Sequence, residues 1–209
     1  MRNKGLIITT LIFFLLVNTI YFWEGKLGLI AFPAFLILFV VYIGLVVGFI
    51  RQLYFAIREK FKDKQRLIIL TILTIVITLT FFKPQGFIDF DRLQGADILV
   101  ASAEGGGNCT TTLKLKENYR FIERIICFGV TETKGTYRVQ NDTIYFENVK
   151  LGLYEKEFFK YAVIKRSKFS NDTTVMDLIR YRNLNDTIGH ELWITKNEMN
   201  KIKNKKPNR

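Results

Sequence analysis

The chain has 209 residues, enough for one or two domains, and combines 49% hydrophobic residues with a formal net charge of +12. The charge divides between unlike halves: residues 1–88 are mostly apolar and carry 10 Lys/Arg against 3 acids, while residues 89–209 are polar and carry 21 against 16. The first excess is concentrated in one short loop between apolar runs, which makes it a membrane-topology signal; no nucleic-acid partner is expected.

Gly5 to Trp23 is an apolar run interrupted only by Thr9, Thr10, Asn18 and Thr19. At about 1.5 Å per residue it covers roughly 28 Å, close to the ~30 Å hydrocarbon core. The basic start Met1-Arg2-Asn3-Lys4 suits a signal peptide, but Ile20-Tyr21-Phe22-Trp23 offers no small-residue cleavage site and fits an interfacial aromatic belt, so an uncleaved first span over 5–23 is predicted. The connector Glu24-Gly25-Lys26 turns the chain back into a second span over 27–50, with Pro33 near its start and Gly44 and Gly48 at small-xxx-small spacing.

The stretch from Arg51 to Arg66 holds Arg51, Arg58, Lys60, Lys62, Lys64 and Arg66 against Glu59 and Asp63. Leu53, Ile57 and Phe61 recur every four residues, so the second helix is expected to continue into it as an amphipathic extension. A third span over 67–82 carries Thr71, Thr74 and Thr78 on one face and ends at Lys83-Pro84. With the N-terminus inside, the cytoplasmic segments hold eight basic residues and the outer flanks three (Lys26, Lys83, Arg92), which places the basic loop 51–66 in the cytoplasm, beside anionic lipid, and everything after the third span outside. None of the three runs contains an ionisable residue, so they read as an anchor.

Phe87 to Leu93 is a short amphipathic bridge, after which the hydrophobic period becomes two. Strands are predicted over Asp97–Ala103, Thr110–Lys116, Arg120–Phe128, Gly135–Gln140, Thr143–Val149, Glu157–Lys165, Thr174–Tyr181 and Ile188–Thr195, bounded by Gly, Asn, Asp or Ser. Short, closely spaced strands suggest an antiparallel meander, either a small barrel or a curled sheet. If Glu117-Asn118-Tyr119 is a three-residue turn, cross-strand partners have numbers summing to 236: Leu115 meets Phe121, Thr111 meets Ile125, and Cys109 meets Cys127. A disulfide is the expected outcome in an oxidising compartment; the rival is a metal pair completed by His190, the one histidine.

The octapeptide Tyr137–Ile144 recurs at Tyr181–Ile188 with six of eight residues matching, through the shared Asn-Asp-Thr-Ile. Two hairpins with similar turns explain it, and a duplication is the alternative; a third Asn-Asp-Thr lies at 171–173. Leu113-Lys114-Leu115 with Tyr119–Glu123, followed by Gly135–Arg138 and Asn141–Phe146, resembles the repeating hairpin grammar of lipocalin-like bacterial envelope domains, including the NlpE-like copper-resistance lipoproteins. The resemblance is confined to residues 113–146. The chain lacks that group's lipobox cysteine and Cys-x-x-Cys metal motif, so the resemblance implies a fold rather than a function.

Catalytic constellations are scarce. Gly105-Gly106-Gly107 lacks the Lys-Ser/Thr of a phosphate loop, and His190 and Glu191, as neighbours on a strand, point to opposite faces. The expected protein is α+β: a three-span transmembrane anchor (1–88), an extracytoplasmic antiparallel β-meander or small barrel-like domain (89–196) and a basic tail (197–209). Its expected role is that of a membrane-anchored binding or interaction module of the bacterial cell envelope, without enzyme activity or cofactor. Its partners would be the bilayer and either an extracytoplasmic protein or a small apolar ligand. The alternatives are an immunity-type inhibitor of a toxin or hydrolase and a lipocalin-like carrier.

Overall fold

The computed structural model describes residues 4–200 apart from Asn171 and Thr173. Asn171 and Thr173 of the third Asn-Asp-Thr and residues 201–209 of the basic tail therefore lie outside the described residues. The chain forms an α+β protein of two compact units: residues up to Trp23 with Ile30–Asp89, and Glu24–Leu29 with the chain from Phe90 on.

The helical unit is built from α1 (Lys4–Asn18), the start of α2 (Ile20–Leu27), α3 (Ala31–Arg58) and α4 (Lys64–Phe82). α3 and α4 are each long and apolar enough to cross a bilayer. The continuous helix expected over 5–23 is instead broken: α1 and α2 meet at 72°, so there are two such helices, or three if the bent pair counts as one. The polar pair at the break accounts for it. Thr19 donates its hydroxyl to Leu15 O at 2.8 Å and Asn18 its amide to Phe14 O at 2.8 Å, back-bonding that bends helices. The Asn18 Oδ1 also accepts the Phe87 N–H at 2.8 Å, and the Trp23 indole N–H joins Thr19 on the Leu16 carbonyl at the α1 end.

The second predicted span is displaced as well. α3 begins at Ala31, four residues later than expected, and runs without interruption to Arg58, so the amphipathic extension is real and only residues 59–63 form the link. Asp63 caps α4 by accepting the N–H of Gln65 at 2.9 Å, which starts that helix at Lys64. Phe13, Val17, Leu45, Leu73 and Val76 form the interhelical core. Leu6 packs against Gly48, whereas nothing lies within 4 Å of a side chain at Gly44. Two threonines of the stripe, Thr71 and Thr74, bond their own backbone at Leu67 O and Leu70 O.

The second unit is a closed eight-stranded barrel in which every strand pairs antiparallel with its sequence neighbours and β1 with β8. The strands are β1 (Asp97–Glu104), β2 (Thr110–Lys116), β3 (Arg120–Ile126), β4 (Val130–Gln140), β5 (Thr143–Lys150), β6 (Tyr161–Arg166), β7 (Met176–Tyr181) and β8 (His190–Asn197). All eight predicted strands exist, and the register Leu115↔Phe121 and Thr111↔Ile125 is the one the 236 rule demands. Several boundaries shift by one or two residues, and two move further. β4 starts at Val130 rather than Gly135. β6 starts at Tyr161 rather than Glu157, because Phe158 and Phe159 leave the sheet to pack into the barrel. The β4–β5 turn has both Asn141 (φ 48) and Asp142 (φ 61) in the left-handed region, a two-residue type I′ hairpin. Its echo is not a second such hairpin: residues 182–189 form a longer loop in which Asp186 accepts the N–H of Arg182 and of Ile188.

Eight strands leave an interior just wide enough for side chains to fill. Leu99, Leu113, Leu115, Phe121, Ile144, Leu178 and Leu192 fill it, with Phe121, Phe146 and Phe158 in mutual ring contact. Each such side chain contributes about 1.5–3 kcal/mol when taken out of water. The barrel centre is thus solid, and polar interior groups are confined to its two ends.

One end is closed by α5 (Phe90–Leu93) and the segment leading to β1. Lys116, fully buried, projects its ammonium onto Asp97 Oδ1 (2.8 Å), Asp91 Oδ1 (3.0 Å) and the carbonyls of Asp91 (2.9 Å) and Gly95 (3.2 Å). Burial alone would push the Lys116 ammonium down, but its bonds to Asp97 and Asp91 outweigh that and hold it above its ordinary value. Burial likewise opposes ionisation of Asp91, and the hydrogen bonds from Lys114 and Lys116 hold its carboxyl below the usual range.

Candidate functional site in the barrel mouth

At the other end the loops 105–109, 127–129, 151–160 and 182–189 surround an open mouth. Period-two alternation on β3 turns Phe121, Glu123 and Ile125 inward together, and on β7 it turns Leu178 and Arg180 inward. Closure of the sheet brings Glu123 and Arg180, 57 residues apart, into a direct ion pair with side chains 3% and 8% exposed. Around them is a cavity of about 450 Å³ whose wall includes Thr111, Ile125, Glu155, Phe158 and Phe159.

The β5–β6 loop forms the wall opposite the pair. Thr133 anchors it twice, donating its hydroxyl to Glu155 and accepting the Gly152 N–H at 2.8 Å. Phe159 lies under the Arg180 guanidinium, 4.1 Å from ring centroid to Cζ, a cation–π contact. The guanidinium is nevertheless incompletely used: its Nε–H is buried without a hydrogen-bond acceptor among the described residues. Burial pushes the Glu123 carboxyl up, against the pull of Arg180 and with the help of the Glu155 charge; burial pushes the Arg180 guanidinium down, against the pull of the same carboxylates. The mouth thus holds the Glu123 and Glu155 carboxylates, the Arg180 guanidinium with a donor to spare and aromatic faces beside them, with Lys156 and the ion-paired Glu157 and Arg182 also on the wall.

The residues singled out in the sequence fall elsewhere. Cys109 and Cys127 pair as a disulfide on the mouth rim, their Cα atoms 4.4 Å apart, extending the β2–β3 register by one step. His190 opens β8 with its ring 5.1 Å from Phe159 and is not near a metal-binding constellation; among the described residues no group of three His, Cys, Asp or Glu side chains converges. In the basic stretch, Arg51, Arg58, Lys60, Lys62 and Lys64 are exposed, while Arg66 is buried. Arg66 donates to Gln52 Oε1 (3.1 Å) and Glu59 (3.0 Å) and lies over the Phe55 ring, so it joins α3 to α4 instead of adding to the exposed charge.

Sequence reasoning missed Glu123 and Arg180. The signal was present: each shares the parity of apolar residues that point inward on its own strand. A charge at an inward position marks a buried ion awaiting a partner. No protein-family model, curated protein or solved structure matches the chain.

Proposed function

We propose that this is an integral protein of a bacterial cell envelope, with the bent α1–α2 pair as the first of three spans, the N-terminus in the cytoplasm and the barrel outside. In this reading the barrel is a binding module, not an enzyme. Its mouth receives a small amphiphile whose polar head supplies an acceptor to Arg180 and whose apolar part lies against Phe158 and Phe159. The observation that carries it is the Arg180 Nε–H, buried at the wall of a cavity of about 450 Å³ without an acceptor. An orphaned buried donor costs about 1–3 kcal/mol, which a bound acceptor would recover. The filled barrel centre argues for a ligand at the mouth over one enclosed in the barrel. Sheet closure leaves no strand edge for a protein partner to extend, which weighs against an edge-binding inhibitor.

Native mass spectrometry of the full-length protein extracted from its own membrane tests the binding. A small-molecule adduct is expected on the wild type and lost in R180M; equal adducts on both, or none on either, sink it. Orientation is tested by reporters: one fused after Arg209 is expected to be active only outside the cytoplasm, and one inserted at Lys62 only inside, with the reverse pattern overturning the topology.

A further inference from the structure

We infer that the rim of the barrel mouth rests in the interfacial layer of the bilayer, so that the mouth opens onto lipid. This goes beyond ligand binding and rests on the reading that α3 crosses a membrane. The first observation is where the barrel leaves apolar side chains in the open. Phe128 (77% exposed), Leu153 (56%), Tyr154 (60%), Leu184 (89%) and Ile188 (76%) stand on three different loops, and all three loops are at the mouth. At the opposite end, with the turns 117–119 and 141–142, the β6–β7 loop and α5, the large apolar side chains exposed among the described residues are fewer: Tyr119, Phe169 and Leu93. A ring of apolar residues around one opening is the kind of surface that an apolar or interfacial partner covers.

Chain continuity identifies the occupant. Glu24–Leu29 belongs to the barrel unit and is seated on this rim. Gly28 forms an antiparallel bridge with Val130, Glu24 pairs with Arg124, and the Leu29 N–H donates to the Tyr154 hydroxyl at 3.3 Å. The close approach is possible because residue 129 is glycine: a Cβ there would strike the Gly28 carbonyl. Two residues beyond Leu29, at Ala31, begins the 28-residue apolar helix α3. Two residues reach at most about 7 Å, so a helix that enters hydrocarbon near Ala31 holds Leu29, and with it Tyr154, in the headgroup region. Tyrosine is a favoured residue at that depth, its ring among acyl chains and its hydroxyl wet. Lys26 and Lys156, both exposed on this rim, are placed to meet lipid phosphates. Between Leu29, Ile125 and Tyr154 lies a further cavity of about 380 Å³ on the same side. The bilayer surface is therefore favoured over a second protein.

The test uses full-length protein reconstituted in vesicles of phosphatidylethanolamine and phosphatidylglycerol. Photoreactive p-benzoylphenylalanine replaces Phe128, Leu153, Phe169 or Phe39, one at a time, and adducts are read by mass spectrometry after irradiation. Phe39 is an exposed residue of α3 and reports on membrane insertion alone. Lipid adducts are expected at 128, 153 and 39 and not at 169. Lipid at 39 with none at 128 or 153, protein–protein crosslinks in place of lipid at the rim, or equal labelling at 169 overturns the docking while leaving the membrane reading intact. Absence of lipid at 39 removes the membrane reading on which the inference stands.

Discussion

The two ends of the barrel solve the same problem in opposite ways. Each holds a buried cation among two carboxylates: Lys116 with Asp91 and Asp97, and Arg180 with Glu123 and Glu155. Lys116 has three donors and four acceptors within 3.2 Å, so its charge is answered from all sides and α5 is fastened to the sheet. Arg180 has five donors, one direct carboxylate partner and a buried Nε–H with no acceptor among the described residues. A completed cluster is architecture, and an incomplete one beside an open cavity is where a ligand would find unused binding energy. The pKa directions agree with this: Lys116 and Asp91 are both held more strongly charged than usual, whereas Glu123 and Arg180 are both pushed toward neutrality.

The largest effect should come from breaking the completed end. K116M removes the buried cation and leaves Asp91 and Asp97 to the half-exposed Lys114 alone, with an expected loss of about 3–5 kcal/mol. The denaturant midpoint of the near-UV circular dichroism of the full-length protein in detergent measures it, and a loss below about 1 kcal/mol would mean the clasp is ornamental. The rim crosslink is worth somewhat less. Replacing Cys109 and Cys127 by Ala should cost about 3 kcal/mol in the same assay, the loop-closure entropy for a separation of 18 residues. Alkylation of both thiols in non-reduced protein from the envelope would show instead that the pair is open in the cell.

Much of this architecture was legible in the chain, and the reasons it was or was not are local. β2 and β3 carry their own alternation and a three-residue turn, so register, and with it the cysteine pairing, follows from counting. Asn141-Asp142 and Asn185-Asp186 look alike in sequence, but turn type depends on the length between strands, and β7 ends one residue after Arg180 while β8 waits until His190. The break at Thr19 was visible only as two polar residues in an apolar run; the bend required knowing that Asn18 would bond Phe87, 69 residues away. The Glu123–Arg180 pair is harder still. Parity points each residue inward, but only closure of the barrel chooses the partner. Nothing in Glu24–Leu29 announces that it joins the barrel, because its docking depends on Gly129 lacking a side chain.

The comparison sharpens when both charges at the mouth are removed together. R180M alone strands Glu123 and should cost about 3–5 kcal/mol, like K116M, whereas E123M/R180M should be neutral or up to a few kcal/mol stabilising, since matched apolar replacements abolish the desolvation penalty. The double variant should also lose the proposed ligand. A double variant as unstable as R180M alone would mark the pair as structural and take away the main reason for placing a site there.

The smallest expected effect is on pH, and it separates the two ends by sign. The Glu123 carboxyl is raised in the folded state, so the native protein holds that proton more tightly than the unfolded chain does. Its contribution to stability is complete below the ordinary glutamate value of about 4.3 and is lost as pH rises through the folded value. Asp91 is lowered, so its contribution is present above about 3.8 and is lost as pH falls through its folded value. Acidification from neutrality toward pH 4 should therefore relieve the mouth before it loosens the α5 clasp. Measured as the stability difference between wild type and E123Q, the wild type should gain on the variant as pH falls across that window. K116M compared with wild type should show no such gain. A wild-type–E123Q difference that is flat, or that shrinks on acidification, would mean that Glu123 is as fully answered by Arg180 as Lys116 is by its aspartates, and the asymmetry between the two ends would disappear.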